Sequence, residues 1–313
     1  MSHPRRFRFG VQLSTAASSA EWADLAREAE DLGYSTLFVP DHFGDQLSPG
    51  PALVAAADAT RELRIGTLVL DNDYKHPVVT AKEMASIDVL SDGRLELGVG
   101  AGWMASDYEQ AGIPMDEAAE RVDRLEEGIA ILKGLFAPGA FSYAGKHYTV
   151  TGLDGMPKPR QDPGPPFIVG GGGPRVLRLA GREADIVGIN PAVRNGRVDG
   201  DAARDGGADV TDRKVRWIKE GAGGRYADLE LQMLIFACVV TDDRAGTVAN
   251  MAPLFGLEPE GLEVYPHAWI GSTDEIVADL ESGRERWDVS YLVIQGPDTM
   301  RAMAPVVAKL AGT

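Results

Sequence analysis

Three places in the chain set reactive residue types side by side. Val39-Pro40-Asp41-His42-Phe43 puts a carboxylate next to an imidazole directly after a short apolar run. Both groups are costly to withdraw from water without a partner or a ligand, and the imidazole exchanges its proton near neutral pH. Asp41 and His42 are therefore a candidate acid–base centre; the plain alternative is an aspartate that caps the next turn. Gly170-Gly171-Gly172-Gly173-Pro174-Arg175 is the second place. Four glycines let the backbone approach a ligand closely, and Pro174 opens a helix whose first amides form an anion site suited to phosphate. The alternative there is a flexible turn. The third, Gly98-Val99-Gly100-Ala101-Gly102-Trp103, has an indole where a dinucleotide fingerprint needs its last glycine. With no acidic ribose partner following, a Rossmann site is not expected.

The other candidates are weaker. His76-Pro77 is expected to start a helix, and His76 has no partner at metal-ligand spacing. His3, His147 and His267 stand alone in turn-like surroundings and are expected to be structural or solvated. Cys238 sits in the apolar run 234–240, where core packing is the expectation. A single cysteine excludes an internal disulfide. No metal cluster, nucleophile elbow or Walker loop is found, which leaves a phosphate-bearing organic cofactor as the main source of reactivity.

Alternating strands and helices must position these residues. Strands are expected at 7–13, 36–40, 63–70, 94–99, 167–169, 184–189, 230–240 and 289–294, with helices between them. The clearest helix is 115–136, where Val122, Leu125, Ile129, Leu132 and Phe136 recur at steps of three and four. Residues 141–148 read as a small hairpin and 194–207 as a mobile insertion. Eight strands alternating with helices select a (β/α)8 barrel over an open doubly wound sheet. The reading is one barrel domain over 1–313, a length that suits this fold. In such barrels the strand C-termini carry the chemistry, and all three glycine or Asp-His motifs fall at strand ends.

A net charge of −16, from 31 basic and 47 acidic residues, argues against nucleic acid and anionic membranes as partners. Hydrophobic residues at 44% and charged residues at 25% are ordinary for a globular enzyme. With no long apolar run or signal-like start, a cytoplasmic location is expected.

In order and spacing the motifs resemble the luciferase-like monooxygenase superfamily. They are Phe9-Gly10-Val11-Gln12, Asp41-His42-Phe43, Ile65-Gly66-Thr67 with His76-Pro77-Val78 beyond, Leu90-Ser91-Asp92-Gly93-Arg94-Leu95-Glu96-Leu97-Gly98-Val99-Gly100, and the Gly170–Arg175 run. The resemblance leans towards the coenzyme F420-dependent oxidoreductases of actinobacterial type. It implies a non-prolyl cis peptide at Leu68-Val69 against the cofactor ring, and a cofactor phosphate at the amides of Gly172 and Gly173. Cofactor contacts extend by the same resemblance to Asp41, Gly100, Pro174 and Arg175. His42 takes the part of base or anion stabiliser. Where the sugar-phosphate dehydrogenases of that branch keep a glutamate, this chain has Trp103, expected with Tyr74 to line the substrate pocket. Asp107 or Glu109, a turn later, are the carboxylates placed to supply a proton.

The function this implies is hydride transfer between the deazaflavin F420 and a small organic substrate, by a homodimer. The alternative is an FMN-dependent monooxygenase that needs a separate reductase to supply FMNH2. A third reading is a cofactor-binding protein without turnover.

Overall fold

The computed structural model describes residues 5–197 and 199–313. His3 and Val198 lie outside the described residues. The strands, in chain order, are β1 (Arg8–Gln12), β2 (Thr36–Val39), β3 (Arg64–Thr67), β4 (Leu70–Asp71), β5 (Leu95–Gly100), β6 (Phe141–Ala144), β7 (Thr149–Leu153), β8 (Phe167–Gly171), β9 (Ile186–Ile189), β10 (Glu230–Leu234), β11 (Ala237–Val240), β12 (Ala268–Gly271) and β13 (Val289–Gln295). The main sheet runs β3-β2-β1-β13-β10-β9-β8-β5-β4, and a further β3–β5 pairing closes it. Because β3 and β4 are two halves of one stave, the ring has eight staves. The chain therefore forms the expected (β/α)8 barrel.

The sequence starts its helices with recognisable chemistry. Proline opens the helices Pro49–Ala59, Pro77–Leu90, Pro174–Glu183 and Pro297–Leu310, where its missing N–H costs nothing. Ser18 caps the helix Ser19–Asp31, and Ser272 with Glu275 forms a capping box on Thr273–Trp287. The long helix is Ala118–Phe136, starting three residues later than its periodicity suggests. Leu125, Ile129, Leu132 and Phe136 are buried along it, each contributing roughly 1.5–3 kcal/mol of hydrophobic stabilisation. A separate short helix, Ala105–Ala111, precedes it.

Two strand expectations change. Residues 63–70 divide into β3 and β4, and the peptide bond between them, Leu68–Val69, is cis. The expected strand 230–240 is also two strands: β10 belongs to the barrel, whereas β11 pairs, among the described residues, with β12 alone. The unbroken apolar run 234–240 hides that break, because no polar or turn residue marks the junction at Ile235-Phe236. Cys238, on β11, is half-buried rather than in the barrel wall.

Inside the barrel the floor is a polar network. Arg8 meets Glu96 at 2.5 Å and Glu230 at 2.7 Å, Arg64 reaches Glu96 at 2.8 Å, and Tyr291 donates to Glu96 at 2.9 Å. Above it the Phe38 ring fills the bore. A Cβ on Gly10 would lie 2.9 Å from that ring, and one on Gly66 2.6 Å. These two glycines thus serve packing. Among the described residues no helix is long and apolar enough to cross a membrane.

Candidate active site

The carboxyl ends of the strands gather the candidate residues. His42 follows β2, Tyr74 follows β4, Trp103 and Asp107 follow β5, and Gly172 and Gly173 follow β8. His42 Nδ1 lies 2.7 Å from Asp107 Oδ2, and Tyr74 Oη donates to the same oxygen at 3.2 Å. Trp103 packs edge-on against the His42 ring, centroids 5.6 Å apart at 84°. Phe43 covers Tyr74 at 4.5 Å. An imidazole therefore stands between a buried carboxylate and an indole wall. Glu109, the other carboxylate considered, is exposed on the outer side of its helix.

Asp41 is a bridge between strand ends: its Oδ2 accepts from the Asp71 amide at 3.2 Å. Burial pushes its carboxyl up, against the opposing pull of that amide. Asp71 is buried more deeply and is pushed up to about 6, chiefly by loss of water. It and Asp73 share the Tyr108 hydroxyl, at 2.9 and 3.0 Å, and Arg124 neutralises Asp73 at 2.9 Å. Burial, followed by Asp71 and Asp107, drives the Tyr74 phenol far above its ordinary range, so it stays protonated and donating.

The cis peptide projects Val69 towards β5, and the glycines there make room for it. A Cβ on Gly100 would sit 2.7 Å from Val69 Cγ2, while one on Gly98 would collide with the Thr67 carbonyl. Gln12 donates to the Leu68 carbonyl at 2.8 Å, tying the bulge to β1. Gly100 accordingly supports the bulge.

The second glycine run divides by position. A Cβ on Gly172 would lie 2.6 Å from the Asn190 carbonyl, so this glycine permits a backbone approach between β8 and the segment after β9. Gly173 has nothing within 4 Å on that side and precedes a helix whose first amides receive no side-chain cap. The open space and the uncapped amides are thus at Gly173 and the turn that Pro174 begins, not at Gly172. Arg175 points elsewhere, bonded to Asp123 and to the Ala119 carbonyl.

Residues 194–197 and 199–207 reach the same rim. The Ala105 amide donates to the Gly196 carbonyl at 3.1 Å, and the segment contains the helix Gly200–Asp205 capped by Asp199. It is anchored by Lys214, a fully buried amine that donates to the Asn190 carbonyl at 2.8 Å and meets Asp205 Oδ2 at 2.6 Å. His267 is likewise buried, with Nδ1 2.7 Å from the Leu234 carbonyl. His267 thus has a structural place, as expected, while Lys214 did not stand out in the sequence. His76 caps the helix that Pro77 begins, accepting from the Val78 amide at 3.2 Å. A cavity of about 330 Å³ beside Arg244, Trp269 and Trp287 lies outside the barrel wall and includes none of the strand-end residues.

The closed parallel sheet with helices between its strands sets the chain among the (β/α)8-barrel proteins. Within that class the chain belongs to the luciferase-like monooxygenase family, whose profile matches residues 5–289. An F420-dependent glucose-6-phosphate dehydrogenase of Microbacterium testaceum is 34% identical over 187 residues, 57% of this chain and 55% of the relative. A 5,10-methylenetetrahydromethanopterin reductase of Methanopyrus kandleri is 28% identical over 193 residues, 58% of this chain and 55% of the relative. The chain thus spans about half the length of the curated relatives it matches. In structure it resembles the coenzyme F420 dependent tetrahydromethanopterin reductase of M. kandleri, with a TM-score of 0.78 at 20% identity over 98% of this chain and 99% of the other. A long-chain alkane monooxygenase gives 0.76 at 14% identity over 98% and 91%. Both likenesses establish the barrel.

Proposed function

We propose that this chain is a coenzyme F420-dependent oxidoreductase that moves a hydride between the deazaflavin and a small organic substrate. The observation that carries the proposal is the His42–Asp107 pair on the rim of a barrel whose curated relatives are named for F420.

The residues present fit such a cofactor. Gly173 faces open space ahead of an uncapped helix, which suits a phosphate. Val69, raised by the bulge, and Asp41 supply one apolar and one hydrogen-bonding contact for a ring. When bound, the deazaflavin supplies the hydride donor or acceptor.

The protein's own part is proton management. Asp107 holds His42 by Nδ1, which favours the tautomer with its proton there and frees Nε2 for a substrate oxygen. His42 takes the proton when an alcohol is oxidised and returns it when a carbonyl is reduced. Tyr74 fixes Asp107 from the other side. Asp107 is thus a positioning residue rather than the direct proton donor. Trp103 excludes water from the reacting face and puts an apolar wall where a sugar-phosphate enzyme of the resembling branch keeps an acid. The substrate contacts come from Trp103, Tyr74 and the segment around Gly196. The barrel acts as one domain, and the assembly carried over from the resemblance is a homodimer.

Equilibrium dialysis with F420 and FMN in parallel tests this reading. F420 is expected to bind at micromolar concentration or below, with FMN bound more weakly. Tight FMN binding without affinity for F420 would overturn it and assign the chain to the oxygen-activating branch, with its separate reductase.

A further inference from the structure

The geometry points to a divalent transition-metal site outside the barrel mouth, formed by Glu120, Asp123 and His147. Glu120 and Asp123 are three residues apart on the helix Ala118–Phe136, so their side chains share a face. His147 comes to that face from the turn between β6 and β7. One ligand atom from each of the three lies within 4.8 Å of the others. Three ligands at the usual zinc distances of about 2.0–2.2 Å fall within such a spacing.

The imidazole supplies the independent sign. Its side chain is 9% exposed, and Nε2 is buried without a hydrogen bond, 3.5 Å from Glu120 Oε1. A buried ring nitrogen normally finds a partner. Here the ring is also held in place. Glu127 accepts from the amides of Lys146, His147 and Tyr148 at 2.7, 3.0 and 3.1 Å, fastening the turn to the helix. Lys146 pairs with Glu120 at 2.6 Å, and Arg175 pairs with Asp123. Both are half-exposed or more, and exposed pairs of this kind hold weakly, so a dication displaces them readily. One imidazole with two carboxylates favours zinc-like ions over magnesium or calcium. The fourth position falls to water.

The test is a titration of the chelator-treated full-length protein with Zn²⁺ against a chromophoric competitor. One equivalent per chain is expected at micromolar affinity or tighter. His147→Ala and Glu120→Gln each weaken it at least about tenfold, with unchanged far-ultraviolet circular dichroism, while His42→Ala retains it. X-ray absorption on the loaded protein shows oxygen and nitrogen ligands with a single imidazole. Absence of binding at concentrations up to about 100 µM, wild-type affinity in both variants, or loss in His42→Ala would overturn the assignment.

Discussion

His42 and Asp107, 65 residues apart in sequence, meet at 2.7 Å across the strand ends of the barrel. They come from the loop after β2 and the short helix after β5, which is how this architecture assembles a site from separated segments. In the proposed reaction His42 is the base, and Asp107 sets its orientation without touching substrate.

Asp107→Asn should therefore preserve the fold and slow the reaction. An amide at that position no longer favours the Nδ1–H tautomer, and the expected loss in turnover is on the order of 10²-fold, the lower range for a disabled general base. Single-turnover kinetics on any substrate the wild type accepts would measure it. His42→Ala should lose as much, and the double variant little more, because the two act as a unit. Additive losses would contradict the coupling.

Two glycine substitutions separate packing from binding. Gly98→Ala drives a Cβ into the Thr67 carbonyl, and overpacking of this kind costs about 1–3 kcal/mol or more. A lowered Tm is expected. Gly173→Ala meets nothing within 4 Å, so stability should hold. Its methyl group would, however, occupy the side proposed for the cofactor phosphate, and F420 affinity should fall about tenfold or more. If Gly173→Ala leaves F420 affinity intact, the phosphate lies elsewhere.

Acidity offers a third check through Asp71, whose carboxyl rises from 3.8 to about 6 on burial. Between these values the unfolded chain has released the proton and the folded chain retains it. The native state then binds more protons, so this group's contribution to stability falls as pH rises from about 4 to about 6 and levels off above. Two pKa units correspond to about 3 kcal/mol. His267, pushed down to about 4 by burial, acts in the opposite sense, losing stability as pH falls from about 6.5 towards 4. The difference between wild type and Asp71→Asn isolates the first effect. Denaturant unfolding at pH 4 and pH 6.5 should show the variant gaining relative stability at the higher pH; equal slopes would contradict the burial cost.

Lys214 provides a stability prediction tied to the rim. Lys214→Ala leaves Asp205 and the Asn190 carbonyl without their buried donor, and breaking a buried pair of this kind costs about 3–5 kcal/mol. Proteolysis should then cut first within 191–207. Protection equal to that of the wild type would show that other contacts hold the segment.

The barrel was legible because each strand and helix announces itself over a few residues, through apolar runs, first-turn prolines and serine caps. The rim residues were legible for the same reason: Asp41-His42 and Gly170–Gly173 are contiguous. What escaped depends on partners far away in sequence. Asp107 could be named as a carboxylate near the strand end, yet its contact with His42 required the short helix Ala105–Ala111 to turn it inward. The floor network of Arg8, Glu96, Glu230 and Tyr291 draws one residue from each of four strands. The alternation Arg8, Gly10, Gln12 is a period-two signal that marks the inward face of β1 in retrospect. His147 read as an isolated histidine because Glu120 and Asp123 approach it only through folding of the hairpin.

The most direct measurement is the electron density of a crystalline complex prepared with coenzyme F420. The cofactor phosphate is expected at the amides beginning at Gly173, and its ring between Val69 and His42. Density in the cavity beside Arg244 and Trp287, or a ring with no contact to His42, would contradict it.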